Sequence, residues 1–181
     1  MTLNCAVLDD YQGAARSMAD WSPLADVVEV RGLRDRLGSP DEVVAAVGDC
    51  EILVVMRERT PFPASLLDRL PRLRLLVTSG MRNASIDLEA AARNNVTVCG
   101  TASNSEPPAE LTWALILGLA RHVVQEAGAL RDGGPWQSTI GSDLHGRTLA
   151  LVGLGRIGAK VARGRPGLRH GRDGVEPESH G

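Results

Sequence analysis

The residues with the clearest chemical meaning are Gly153, Gly155 and Gly158, set in Gly153-Leu154-Gly155-Arg156-Ile157-Gly158 behind the apolar run Thr148-Leu149-Ala150-Leu151-Val152. A strand turning through such glycines into a helix cradles the pyrophosphate of a dinucleotide. The first glycine permits the tight turn, the second lets the backbone approach the phosphates, and the third lets helix pack on strand. The helix N-terminus then offers N–H groups and the positive end of its dipole to the anion. A tight turn with no ligand would use the same three glycines. The helix predicted to start at Arg156 meets Gly164 and Pro166 after about two turns, where propagation stops.

Other residues carry two readings each. Arg57, behind an apolar strand, is either a solvated strand-end charge or part of a binding loop. Ser79-Gly80 is either a plain turn or part of the same loop. Glu110 with Arg121 or His122 has the residue types for acid–base work, but all three fall on a long helix and read as structural or surface groups. His145 precedes a strand in a turn and reads as solvent-facing. The three cysteines, Cys5, Cys50 and Cys99, form no Cys-x-x-Cys pair, and no metal-ligand spacing is present. Cys5 and Cys99 lie in apolar strand-like runs and read as buried, reduced core thiols.

These residues must be positioned by an alternation of strands and helices. Strands are predicted at Cys5–Leu8, Val27–Val30, Ile52–Val55, Leu75–Thr78 and Val96–Val98. Helices are predicted over Gly13–Leu24, from a cap at Asp41 to Val47, over Pro63–Leu70 and over Asp87–Asn94. That alternation implies a parallel sheet with helices on both faces. Ser105, ahead of Glu106-Pro107-Pro108, is the predicted N-cap of one long helix over residues 105–132, stopped by Gly133-Gly134-Pro135. Its broad apolar pattern from Leu111 to Leu130 predicts burial on most sides.

Bulk composition narrows the partners. A formal charge of −2 gives no reason to expect nucleic acid or an anionic membrane. The N-terminus lacks the basic and apolar stretches of a signal peptide, and the longest apolar run falls far short of a membrane span, so a cytoplasmic chain is expected. Aromatic residues make up only 3% of the chain, which leaves the core to aliphatic side chains, as buried parallel strands prefer.

Taken in order, four motifs resemble the D-isomer-specific 2-hydroxyacid dehydrogenases, the family of phosphoglycerate, glycerate and formate dehydrogenases. They are Arg57-x-x-Thr60 after a strand, Val77-Thr78-Ser79-Gly80-Met81-Arg82-Asn83-Ala84-Ser85-Ile86-Asp87, the helix entry Asn104 to Thr112, and Leu144-x-Gly146-Arg147-Thr148-Leu149 leading into the glycine motif. The resemblance spans about residues 3–163. It implies an α/β fold: a flavodoxin-like parallel-sheet substrate domain over residues 1–102, then the start of a Rossmann nucleotide-binding domain over 103–163. It implies that Ser79, Gly80 and Met81 present backbone N–H groups to a substrate carboxylate, with Arg57 nearby. Gly153, Gly155, Arg156, Ile157 and Gly158 would hold the pyrophosphate of NAD or NADP, and Thr112 would lie near that cofactor. Ser85 departs from the Asn usual in the family at its position. The implied reaction is reduction of a small 2-keto acid, or oxidation of the D-2-hydroxy acid, by a homodimer. The histidine, glutamate and arginine that carry out this chemistry come later in family sequences, so no catalytic residue is assigned in this chain.

After Arg163 the pattern changes: Leu168 and Val175 are the only aliphatic side chains to Gly181, and residues 164–181 read as a disordered tail. Reading Gly164–His180 one base later gives codons compatible with Val-Gly-Arg-Ala-Phe-Gly-Met-Asp-Val-Met-Ala-Trp-Ser-Pro-Asn-Leu-Thr, the continuation the family resemblance requires. The tail is therefore read as frameshifted and the chain as truncated. His170, Glu176, Glu178 and His180 would be products of the shifted frame, and Asp173 would lack the strand that a ribose-binding acid needs. The expected function is an oxidoreductase-family chain, inactive as it stands. The alternatives are a non-catalytic fragment that binds an intact paralogue through its long helix, and a product that does not fold.

Overall fold

A computed structural model describes residues 2–164; the expectations for residues 165–181, including His170, Asp173, Glu176, Glu178 and His180, lie outside the described residues. The chain divides into two compact units, with the boundary between Ser103 and Asn104.

In the first unit five parallel strands, β1 (Leu3–Val7), β2 (Val28–Gly32), β3 (Ile52–Val55), β4 (Leu75–Thr78) and β5 (Thr97–Gly100), form one sheet in the order β2-β1-β3-β4-β5. This is the flavodoxin-like order. Registers such as Ala6 opposite Leu53, Leu53 opposite Leu76, and Leu76 opposite Val98 put these side chains on one face. That face meets α1 (Pro40–Val47), α2 (Ala64–Leu67) and α3 (Leu88–Arg93) in a single core with Val43, Val47, Leu66, Leu67, Ala90 and Ala91. The three crossovers carrying these helices all advance the same way across the sheet, so right-handed connection places them on one side. Only the connection from β1 to β2 runs the opposite way, so only that first connection crosses the other face.

The first connection does not form the helix predicted over Gly13–Leu24. Gly13 has φ 64°, the Asp10 carboxylate takes the N–H groups of Ala14 and Ala15, and the Trp21 indole takes the Ala15 carbonyl. These local bonds replace a helical ladder with turns and a short 3-10 segment, Ser22–Leu24. Helices therefore cover one face, not both, and Ile52, Val54, Leu75 and Val77 on the second face stay partly exposed. Cys99, opposite Val77 on the edge strand, is exposed, which corrects its expected burial; Cys5 and Cys50 are buried.

Other boundaries differ by one to three residues. Ser39, not Asp41, caps α1, accepting the Glu42 N–H at 3.3 Å, with Pro40 in the first turn. Pro63 precedes α2, which ends at Leu67 and not Leu70. Asp87 caps α3 through the Ala90 N–H at 2.9 Å.

The second unit departs further. The long helix is two helices, α4 (Glu106–Ala120) and α5 (Val123–Arg131), broken where His122 takes φ 52°. The Ser142 N–H donates to the Ala120 carbonyl at 2.7 Å, occupying the acceptor that an uninterrupted helix would offer to Val124. Ser105 is the N-cap of α4 as expected but makes no side-chain cap bond; the Asn104 side chain accepts the Glu106 N–H at 2.9 Å instead. Leu111, Leu115 and Leu119 are exposed, against the expected burial. The strand predicted at Thr148–Val152 is absent, because among the described residues no strand lies beside it to complete a ladder. The helix after it forms as α6 (Arg156–Gly164). Val161 is buried against α4, its carbonyl accepting the Trp113 indole N–H at 3.1 Å, and Lys160 pairs with Glu106.

Candidate active site

In the first unit, the loops at the carboxyl ends of β1, β3 and β4 carry the candidate substrate residues. The Ser79 N–H donates to the Val55 carbonyl at 3.0 Å, and the Ser79 hydroxyl accepts the Arg57 N–H at 3.0 Å. This ties the loop after β4 to the loop after β3. Gly80 has φ 84°, and a β-carbon there would lie 3.1 Å from Arg57 Nη1, so the Arg57 side chain folds across it. The Gly80 N–H donates to Thr101 Oγ1 at 3.0 Å. The Met81 N–H has no partner among the described residues, and the Met81 side chain is 72% exposed. Of the three amides expected to face a carboxylate, then, Ser79 and Gly80 already have protein acceptors and Met81 does not. The Arg57 guanidinium forms no ion pair among the described residues.

The rest of the loop is held by short-range bonds. Asn83 donates to Thr78 Oγ1 at 2.9 Å and accepts the Ser85 N–H at 3.0 Å. Ser85, in turn, gives its carbonyl to the Phe62 N–H at 2.8 Å. The serine thus supports the loop through its backbone, and its side-chain departure from the family pattern leaves that support in place. Gly100 and Thr101 escaped the sequence reading. A β-carbon on Gly100 would lie 2.8 Å from both the Gly80 carbonyl oxygen and Met81 Cα, so only glycine lets β5 end against this loop. A glycine ending a strand was the available signal.

At the end of β1, Asp9 is buried with φ 58°. Its carboxylate accepts from the Tyr11 hydroxyl and from Thr60 Oγ1, each at 3.0 Å. The bond to Asp9, with that carboxylate's charge, raises the Tyr11 phenol above its ordinary pKa. The Arg59 guanidinium stands 5.1 Å from the centre of the Tyr11 ring.

In the second unit, Gly153 has φ 90°, and a β-carbon on Gly158 would lie 2.3 Å from the Gly153 carbonyl oxygen. Those two positions require glycine. Nothing stands within 4 Å of a β-carbon at Gly155, which leaves that backbone open to approach. Ile157 and Arg156 open α6, so the open backbone at Gly155 lies at a helix N-terminus, a place that suits an anion, although the preceding strand is missing. The Thr112 hydroxyl is engaged by the Pro108 carbonyl at 2.7 Å.

A 2-1-3-4-5 parallel sheet with a basic loop at its carboxyl edge, followed by a glycine turn into a helix, defines an α/β protein of the dehydrogenase type. The chain belongs to the D-isomer specific 2-hydroxyacid dehydrogenase family, whose catalytic-domain model matches residues 10–164. Among relatives, the Homo sapiens D-3-phosphoglycerate dehydrogenase is 38% identical over 127 residues, covering 68% of this chain and 24% of the relative. The glyoxylate reductase of Korarchaeum cryptofilum is 33% identical over 133 residues, covering 70% of this chain and 40% of the relative. The crystal structure of phosphoglycerate oxidoreductase from Vibrio cholerae o395 superposes with a TM-score of 0.85 at 32% identity, covering 92% of this chain and 54% of that one. The chain thus spans about a quarter to a half of the length of the proteins it matches. Among the described residues no helix is long and apolar enough to cross a membrane.

Proposed function

We propose that this chain supplies the substrate-carboxylate loop and the diphosphate turn of an oxidoreductase that interconverts a small D-2-hydroxy acid and its 2-keto acid. The observation that carries the reading is the loop after β4. There an unpartnered Met81 N–H and an Arg57 guanidinium without an ion pair meet at Gly80. Together they offer a directional donor and a planar cation to one carboxylate. The similar proteins named above act, by their names, on hydroxy or keto acids of this kind.

A bound nicotinamide dinucleotide, NAD or NADP, would supply the hydride chemistry. Gly153, Gly155, Arg156, Ile157 and Gly158 would hold its diphosphate, with Thr112 nearby. The chain's own contribution is binding and orientation: no side chain of the loop is placed to give or take the proton at the substrate oxygen. The 181-residue polypeptide is accordingly expected to bind acid without turning it over. A homodimeric, cytoplasmic enzyme completed in the shifted frame after Gly164 is the form expected to be active. Leu111, Leu115 and Leu119, exposed at helical spacing on α4, favour a second reading: a non-catalytic fragment that pairs with a longer homologous chain.

Titrating the isotopically labelled polypeptide with pyruvate and following backbone amides by NMR tests the first reading. The Met81 and Gly80 signals should move, and Arg57→Gln should weaken the response by about tenfold, the loss of one charge-assisted contact. Unchanged signals across residues 79–82 at saturating acid would overturn it.

A further inference from the structure

The middle amide of the carboxylate loop does not reach solvent. Gly80 is buried, and a buried N–H must find an acceptor within the protein. It finds Thr101 Oγ1 at 3.0 Å. Two further contacts fix that hydroxyl in place. The Thr101 N–H donates to the Thr78 carbonyl at 3.1 Å, and the bare Cα of Gly100 lets the end of β5 close on Gly80 and Met81. Thr101 itself is exposed. A hydroxyl that accepts one bond still has its own hydrogen to give, and none of the described residues takes it.

We infer that the Thr101 hydroxyl is a substrate ligand: it carries the donor strength of the buried Gly80 amide outward and gives its hydrogen to the carboxylate of the 2-keto acid. The inference rests on the loop after β4 being the site of that carboxylate. Three donors then stand around one residue. Arg57 Nη1 lies 3.1 Å from the place of a β-carbon on Gly80, Thr101 Oγ1 lies 3.0 Å from the Gly80 nitrogen, and the Met81 N–H is the next amide along the chain. By donating to the hydroxyl, the Gly80 N–H polarises it, and bonds linked in such a chain strengthen one another. A carboxylate has about four lone-pair sites on its two oxygens, enough to accept from a hydroxyl, an amide and a guanidinium together. Direct capture of the Gly80 amide by the acid would need the hydroxyl to leave and a buried N–H to be uncovered. Relay through Thr101 needs neither.

The test is an NMR titration of the labelled 181-residue polypeptide with pyruvate, repeated with two variants. Thr101→Val keeps the branched shape and removes the hydroxyl, whereas Thr101→Ser keeps the hydroxyl. In the unsubstituted chain the Thr101 side-chain signals should move and saturate together with the Met81 amide. Thr101→Val should weaken pyruvate binding about tenfold, the loss of one charge-assisted contact, and Thr101→Ser should stay within about twofold of the parent. Before acid is added, the Asn83 and Ser85 signals should match the parent in both variants, which separates a donor from a prop for the loop. Unchanged or tighter binding by Thr101→Val, with Met81 still responding, would overturn the inference alone: the hydroxyl would then be idle, or a competitor for the Gly80 amide. Weaker binding together with displaced acid-free Asn83 and Ser85 signals would assign Thr101 to holding the loop and would overturn it as well. No response at Met81 in the unsubstituted chain would overturn the carboxylate loop, and the inference with it.

Discussion

Cys5 and Cys99, both in apolar strand-like runs, end in different environments, and the position of their strands in the sheet explains why. Cys50 lies against the core, where burial pushes its thiol up to about 11, and Cys5 on the central β1 is raised for the same reason. Cys99 sits on β5, the edge strand beside β4 among the described residues, and lies on the sheet face opposite the one that α1, α2 and α3 cover in this unit. Brief alkylation at pH 8 followed by peptide mass mapping should therefore label Cys99 first and leave Cys5 and Cys50 unmodified until the protein is denatured. Equal labelling of all three in the native chain would contradict the difference in burial between Cys99 and the other two. The glycines divide in the same way. Gly153 and Gly158 were legible from their motif because backbone conformation and steric exclusion are local demands. Gly100 was not, since its need for a bare Cα comes from Gly80 and Met81, far away in sequence.

Elements whose apolar runs are short and bounded by turns were read correctly in position: β3 and β4 match residue for residue, because a buried parallel strand leaves no other use for Ile52–Val55 or Leu75–Thr78. The two helix expectations that fail share one cause, competition for backbone groups. Asp10 and Trp21 take the groups a Gly13–Leu24 helix would need, and Ser142 takes the Ala120 carbonyl that would carry α4 into α5. Glu51 shows what such bonds contribute where the sheet begins. Its side chain, 12% exposed, accepts the Asn4 N–H at 2.8 Å and is paired with Arg72, and these contacts hold its carboxyl below the usual range. A depressed native pKa stabilises the fold fully above the unfolded value, about 4.3, and that stabilisation is lost as pH falls through the native value. Chemical denaturation between pH 7 and pH 3 should show this acid-side loss. Glu51→Gln should lower stability by about 1–3 kcal/mol at pH 7 and flatten that part of the profile. A variant whose acid limb is as steep as the parent's would assign the dependence to other carboxylates. Hydrogen exchange should separate the two units as well. The strand amides of residues 3–100 should exchange slowly, and those of residues 135–155, which lack a ladder, should exchange fast. Uniform protection from Thr148 to Arg163 in a monomer would contradict the absence of a strand there.

For the molecule as a whole, family membership was legible from motif order, because each motif serves backbone geometry that the fold cannot replace. The pair of Arg59 on Tyr11 was not, since Tyr11 belongs to no motif, Arg59 falls on an unspecified position of Arg57-x-x-Thr60, and their meeting depends on β1 lying beside β3. On the proposed function this chain supplies the part of a 2-hydroxyacid dehydrogenase that binds and orients. The part that moves the proton is expected in the frame read one base later from Gly164 onward. Deleting one base near codon 164 should extend the chain to roughly 300 residues, the size of two ordinary domains. The most direct measurement is NADH and NADPH oxidation by the 181-residue polypeptide and by the repaired protein, side by side, over a panel of 2-keto acids. The expected result is no turnover by the first and turnover of at least one acid by the second, abolished when Gly155 is replaced by a bulky residue that fills the approach of the diphosphate. Turnover by the 181-residue polypeptide itself, or an early stop in the repaired frame, would contradict the account.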